Sequence, residues 1–198
     1  MAKPRSGSRS EGRTKRRRPG RKSADLSLDL SSLAPLESSV FADGWAVLER
    51  AQVVEFAFFD MAPREPSVVA RVVIPIETLV ISIWPGAQAF YRDVGSWLSA
   101  CNIQPIRPEK LEVSPQPLPR PATVMRIFRS ASEGLLEFHH ISPRDVFSAQ
   151  QAGGGPVLAT PVLAVSVPAA LQIGLLEWLE ANVEALRRRV SAPTEAGS

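Results

Sequence analysis

Two adjacent histidines are the residues of this sequence whose type best suits chemistry, since imidazole serves as a metal ligand and as a general base near neutral pH. His139 and His140 stand in an apolar run, with Glu137 before them and Asp145 after them. Successive side chains of a strand point to opposite faces, so the two rings do not readily chelate one ion. Two interpretations follow. One is a metal or hydrolytic site of Glu137, His139 and Asp145, and the other is one ring at the surface with one satisfied in the core. We favour the second and expect no metal or other cofactor.

Two glutamates and a single cysteine are the other candidates. Glu55 and Glu137 hold matching places in two similar segments, which permits either a facing carboxylate pair or two ordinary solvent-exposed side chains. Cys101 falls on an apolar helical stripe, which indicates a small buried side chain. The glycine run at residues 153–155 lacks the Lys-Ser/Thr of a phosphate-binding loop, so a flexible loop is expected. We predict no catalytic residue.

Basic residues are concentrated at the start of the chain. Residues 1–24 hold 10 of the 23 Lys and Arg but 1 of the 20 Asp and Glu, so the remaining residues carry 13 basic and 19 acidic side chains. With no aromatic and no large aliphatic residue after Met1, this segment is predicted to be a disordered tail. Its candidate polyanion-binding residues are Lys15, Arg16, Arg17, Arg18, Arg21 and Lys22.

The tail has two open interpretations. Flexible cations release counterions from a polyanion, which predicts binding to DNA, RNA, anionic lipid or an acidic protein without sequence preference. The alternative is a solubilising tail with no partner. No apolar stretch of signal-peptide length follows the basic residues, which predicts a cytoplasmic protein. The uncharged stretch from Val146 to Leu176 is interrupted by prolines and glycines, so membrane insertion is not favoured.

Hydrophobic patterning over the rest of the chain predicts two similar units. Each consists of an apolar hairpin, a third strand that ends at a proline, and an amphipathic helix. The predicted hairpin strands are Trp45–Leu48, Val53–Asp60, Val124–Phe128 and Leu135–Ile141. Between the two units, Val53–Phe56 aligns with Leu135–Phe138, and Val68–Pro75 aligns with Pro161–Pro168.

Each third strand is followed by a predicted helix. The apolar stripe of the first is Ala87, Phe90, Val94, Trp97, Leu98 and Cys101, and that of the second is Leu171, Leu175, Leu179, Val183 and Leu186. Pro85-Gly86 is expected to kink or restart the first helix. Residues 76–84 are assigned to this helix, with a strand as the alternative.

These patterns predict an α+β fold of duplicated β-β-β-α units, with a mainly antiparallel sheet, helices on one face and a pseudo-twofold relation. A unit of about 60 residues buries too little surface to be stable alone, so the two units should cover each other. The predicted divisions are a tail (1–24), a linker or docking segment (25–40), the first unit (41–101), a stiff proline-rich linker (102–121), the second unit (122–189) and a disordered C-terminus (190–198).

The order of hairpin, strand, proline and helix resembles a small bacterial family of unknown function whose hairpin contains a Glu-Phe-x-x-x-Asp-like stretch. Glu55-Phe56 with Asp60 carries this resemblance, as does Ser166-Val167-Pro168 before the second helix. It spans residues 41–101 and again 122–189, where Ser142 stands at the place of the Asp. The resemblance implies a fold rather than an activity.

A strand-rich core without a catalytic set favours a non-enzymatic protein-binding or assembly module, with a protein partner or self-association and an electrostatic tail. The alternatives are a protein that binds DNA or RNA through residues 1–24, a chaperone-like holdase, and a small metal-dependent or hydrolytic enzyme.

Overall fold

The computed structural model describes residues 26–28, 36, 38–129 and 132–191 of the chain. The basic tail, with Lys15, Arg16, Arg17, Arg18, Arg21 and Lys22, lies outside the described residues.

The described strands and helices follow one another in a fixed order. They are β1 (Leu26–Leu28), β2 (Val40–Phe41), β3 (Gly44–Glu49), β4 (Val53–Asp60), β5 (Ser67–Pro75), α1 (Ile76–Thr78), a π-helical turn (Leu79–Ile83), α2 (Trp84–Cys101), β6 (Arg120–Pro121), β7 (Val124–Arg129), β8 (Glu133–His140), α3 (Pro143–Gln151), β9 (Gly155–Val157), β10 (Thr160–Pro168) and α4 (Ala169–Ser191).

The fold is α+β, as predicted, with two mixed four-stranded sheets that are mainly antiparallel. The first sheet has the strand order β3-β4-β5-β6, and the second has the order β2-β10-β8-β7. β1 and β9 form a separate parallel pair. The predicted hairpins and third strands are present, and both third strands end at the predicted prolines, Pro75 and Pro168.

A two-residue strand at the start of each unit lies in the sheet of the other unit. β2 pairs in parallel with β10, and β6 pairs in parallel with β5. The N–H of Ala42 donates to the carbonyl of Ser166 at 2.9 Å, and the N–H of Ala122 donates to the carbonyl of Val73 at 3.0 Å. Both alanines are fully buried. Each sheet is therefore completed by backbone from the opposite unit.

The two units also repeat smaller details. The pairing of the second and third strands skips one residue at a bulge, Val69 in one unit and Val162 in the other. Beyond the hairpin, the Asp43 carboxylate accepts the N–H of Met61 at 2.7 Å. In the second unit the Thr123 hydroxyl accepts the N–H of Ile141 at 2.8 Å. Descent of the units from a duplication stays a prediction.

The strand registers correct one predicted alignment. Trp45 pairs with Phe58 and Met125 pairs with Phe138, so Phe138 corresponds to Phe58. By the same register Glu137 corresponds to Ala57 rather than to Glu55. A shift of two residues leaves every side chain on its original face of the sheet, so the hydrophobic pattern does not reveal it.

One apolar core joins the inner faces of the two sheets and the long helices. The rings of Phe58 and Phe138 lie 6.0 Å apart and connect the two sheets. On α4, Trp178 packs edge-on against Phe56 and Trp45, with ring centroids 5.7 and 6.5 Å away. None of the described helices is long and apolar enough to cross a membrane.

Helix covers residues 76–84, as predicted, and it continues without a break through Pro85. The π-helical turn Leu79–Ile83 lies just before this proline. Such a wider turn accommodates a residue that has no N–H to donate and whose ring crowds the preceding turn. The expected restart of the helix is therefore replaced by a local change of helical pitch.

Cys101 is exposed, so the prediction that it is buried is wrong. It is the last residue of α2, and Asn102 after it has a left-handed backbone with a φ of 49°. Asparagine tolerates this conformation, which ends helices. The apolar stripe is buried or half-buried at Ala87, Phe90 and Val94.

Helix α3 was not predicted from the sequence. Ser142 caps this helix by accepting the N–H of Arg144 at 3.2 Å, and Pro143 stands at its first turn. Ser-Pro followed by an acidic residue is a helix-start signal, and it was overlooked here. α4 reaches Ser191, past the predicted end of the second unit at Arg189.

The proline-rich linker has no helix or strand before β6, and it packs on the molecule instead of spanning open solvent. Leu111 and Val113 cover an apolar patch of Ala57 and Phe59 on the outer face of the first sheet. The Ile106 N–H donates to the Ala170 carbonyl of α4 at 2.9 Å.

Close approach of the linker to α4 requires a glycine at residue 174. A methyl group added at Gly174 would overlap the Ile106 carbonyl oxygen, whereas one added at Gly86 meets nothing within 4 Å. Gly174→Ala should lower the free energy of unfolding by about 1–3 kcal/mol because of overpacking. Gly86→Ala should raise it by up to about 1 kcal/mol through helix propensity. Urea unfolding measures both, and stabilisation by Gly174→Ala would contradict this packing.

Candidate functional site

A buried ion pair lies on the outer face of the first sheet. Glu55 accepts from Nε of Arg71 at 2.5 Å, and both side chains are buried. Nη1 of Arg71 also donates to the linker carbonyls of Ser114 and Pro115, at 3.0 and 2.8 Å. The guanidinium therefore fastens the linker to the sheet. Nη2 of Arg50, whose side chain is exposed, lies 3.3 Å from Oε2 of Glu55.

A second polar cluster lies on the outer face of the second sheet. Glu137 is fully buried, and its Oε1 accepts the backbone N–H of Leu36 at 3.2 Å. Its Oε2 lies 3.3 Å from Nη1 of Arg126 and 3.5 Å from Nε2 of His139. The Arg126 guanidinium and the His139 imidazole thus approach the same carboxylate oxygen. Glu55 and Glu137 have separate arginine partners, Arg71 and Arg126, so the predicted alternative of a facing carboxylate pair is wrong. The other alternative, two solvent-exposed side chains, is wrong as well, because both glutamates are buried.

His139 is buried and His140 is half-buried, which agrees with the expectation of one ring in the core. Within the described residues neither ring nitrogen of His139 makes a well-formed hydrogen bond, although Nε2 lies 3.5 Å from Oε2 of Glu137. Burial lowers the pKa of His139, and the nearby Arg126 charge lowers it further, while Glu137 opposes both effects. The ring is therefore held in its neutral form.

The alternative metal site does not assemble. Asp145 lies on α3, where no residue is buried, whereas Glu137 and His139 lie on β8 and are fully buried. Among the described residues, no three His, Cys, Asp or Glu side chains form a group that would hold a metal ion.

An open cleft runs beside β7, the edge strand of the second sheet. It encloses about 260 Å³ between β7 and α2. Its lining residues are Gly86, Ala87, Phe90, Met125, Arg126, Ile127 and Phe128. The Phe128 ring is 39% exposed, and the Arg126 guanidinium lies 4.7 Å from its centroid. We call this feature the edge cleft.

The corresponding edge of the first sheet is closed by the linker. The N–H of Glu109 donates to the carbonyl of Trp45 on β3 at 2.6 Å. The Trp45 indole donates to the Ile106 carbonyl at 2.8 Å. Met125, which corresponds to Trp45 in the register, has no indole to donate. The same strand edge is thus covered in one unit and borders an open cleft in the other.

The edge cleft is not evident in the sequence, because its two walls come from α2 and β7, which are far apart in the chain. The local signal was a strand with apolar residues at Met125 and Ile127 and an arginine between them. A charged residue within an apolar strand is typical of a sheet edge, because it discourages uncontrolled pairing.

Comparison of the chain with protein-family models, with curated proteins and with solved structures finds no match. The resemblance to a small bacterial family stays a prediction.

Two arginines that approach the same carboxylate should differ in their effect on stability. Arg71→Ala should lower the free energy of unfolding by about 3–5 kcal/mol, because it leaves the buried Glu55 carboxylate without its close partner. Arg50 is 60% exposed. Arg50→Ala should cost no more than about 1 kcal/mol, as for other surface pairs. Denaturant titration of both variants tests this, and equal losses would contradict the assigned roles.

The buried imidazole should make stability depend on pH. The pKa of His139 is lower in the folded state than in the unfolded chain. Its contribution is therefore complete above the unfolded value of about 6.5 and is lost as the pH falls through the folded pKa. Phe59 is the corresponding residue of the first unit and is buried. His139→Phe should lose less stability than the wild type between about pH 7.5 and 5, measured by urea unfolding. Parallel pH profiles would refute this assignment.

Proposed function

We propose that this chain is a non-enzymatic protein-binding module that captures an extended segment of a partner protein along β7. The observation that carries the proposal is the contrast between the two sheets. The β3 edge is covered by the chain's own residues Ile106–Glu109, whereas the corresponding β7 edge borders the edge cleft.

An edge strand presents backbone N–H and C=O groups that pair with another extended chain. Trp45 and Met125 hold corresponding positions, and the Trp45 carbonyl faces the linker. Met125 should therefore also present its backbone outward. Phe90 and the side chains of Met125 and Ile127 supply apolar surface next to that backbone. Backbone pairing would provide affinity, and the pocket would select the ligand's side chains.

Pairing of β7 with a second copy of itself is less favourable than pairing with a different segment. Antiparallel pairing about a twofold axis near the strand centre would bring the two Arg126 side chains close together. Like charges on neighbouring strands destabilise a sheet. A heterologous partner is therefore the better occupant.

The proposal is tested by selecting peptides of about nine residues from a random displayed library with the full chain. The wild type and Gly86→Ala should enrich the same peptides. Gly86→Phe projects a ring beside the cleft from a position with open space around it, and it should weaken binding by about tenfold or more.

Two controls accompany this selection. Thermal unfolding should show Gly86→Phe to be folded, and N-methylation of alternate amides in an enriched peptide should abolish its binding to the wild type. A library that yields no peptide sensitive to both changes would overturn strand capture at this edge.

A further inference from the structure

Aromatic rings fill the space between the edge strand β3 and helix α4. Trp45 of β3 stacks on Phe56 of β4 with ring centroids 6.4 Å apart. Trp178 of α4 packs edge-on against both rings. Trp45 and Phe56 are buried, and the linker covers the strand edge beside them. Since stacked and edge-on rings attract one another beyond the effect of their buried area, aromatic packing closes this groove.

The corresponding space between β7 and α2 lacks these rings. In the strand registers, Met125 takes the place of Trp45. By the same registers Leu136 takes the place of Phe56. On the helix wall Gly86 has no side chain, and a methyl group added there would meet nothing within 4 Å. The edge cleft therefore opens where the first groove holds aromatic side chains.

The size and the lining of the edge cleft suit one aromatic ring. An engineered apolar cavity of about 150 Å³ holds benzene, and the cleft encloses about 260 Å³. Its lining includes the thioether of Met125 and the ring of Phe90, and both groups make favourable contacts with an aromatic side chain. Both side chains are half-buried, so they keep exposed apolar surface that a ring would cover.

A strand added to β7 would direct every second side chain toward α2. Met125 and Ile127 face the main core, so the side chains of an added strand would alternate between the core side and the outer face. A residue on the core side would therefore lie between β7 and Phe90. Its ring would occupy the cleft while its backbone pairs with the strand.

We propose that the partner segment captured by β7 carries an aromatic residue whose ring enters the edge cleft between Met125 and Phe90. This inference rests on the strand capture proposed above and adds the side chain that the cleft selects. Residues 1–25, 29–35 and 192–198 contain no aromatic residue, so these segments of the chain do not supply the ring.

The peptides that the full chain selects from the random library test the inference. Each enriched peptide should contain an aromatic residue at a constant position. In a labelled copy of the tightest peptide, leucine at that position should weaken binding about tenfold, because the contacts of a ring with Met125 and Phe90 are lost. Alanine there should weaken binding about a hundredfold, because most of the buried apolar area is lost. Fluorescence anisotropy with the full chain measures all three affinities.

Variants of the chain locate the preference for the aromatic peptide over the leucine peptide. Met125→Trp supplies an indole at the position of Trp45 and should abolish the preference, because the chain then fills the cleft itself. Phe90→Ala removes the ring of the helix wall and should reduce the preference about threefold or more. Leu118→Trp adds an indole at a residue that is 69% exposed and does not line the cleft, and it should leave the preference unchanged. Thermal unfolding should show each variant to be folded.

The outcomes separate the two proposals. Enriched peptides without an aromatic residue, or equal binding of the aromatic and leucine peptides, would overturn the aromatic inference while strand capture stands. An unchanged preference in both cleft variants would also overturn it. Dimerisation of the full chain that Gly86→Phe abolishes would make a second copy the occupant and overturn the inference of a partner segment. If no enriched peptide depends on both Gly86 and its own amides, strand capture fails and this inference fails with it.

Discussion

The reciprocal exchange of short strands is the constraint on which the rest of the fold depends. The backbone bonds of Ala42 and Ala122 place the start of each unit in the sheet of the other. Neither alanine has room to move, because both are fully buried. This exchange holds the inner faces of the two sheets together, where Phe58 contacts Phe138. It also means that the chain passes from a short strand in one sheet into a hairpin in the other. A unit too small to form a stable core alone is completed by its neighbour.

Each sheet also has an outer face, and the polar contacts that cover the two outer faces differ. On the first, Arg71 satisfies Glu55 and binds the linker carbonyls, so the charge is used to attach a segment of chain. On the second, Glu137 binds the backbone of Leu36, while Arg126 and His139 approach its other oxygen. In the second arrangement, burial lowers the pKa of the His139 imidazole.

The two units differ in how their edge strands, β3 and β7, are covered. In the first sheet, Ile106–Glu109 of the linker cover the edge strand β3. This arrangement depends on Trp45, whose indole donates to the Ile106 carbonyl, and on Gly174, where a side chain would overlap that carbonyl. In the second sheet the residue that corresponds to Trp45 is Met125, which has no indole to donate. Among the described residues no further strand pairs with the β7 edge, which borders the edge cleft. The two similar units therefore share one core, but their edge strands are covered differently.

The hydrophobic pattern of the sequence by itself determined the α+β class, the hairpins, the third strands that end at Pro75 and Pro168, and the helices after them, because these depend on local periodicity and on proline stereochemistry. Only the tertiary structure decided the register between the units, because a shift of two residues keeps the same alternation. It also decided the exchange of β2 and β6, the burial of His139, the exposure of Cys101 and the edge cleft. Each of these depends on which distant segment covers a surface, and no local pattern records that.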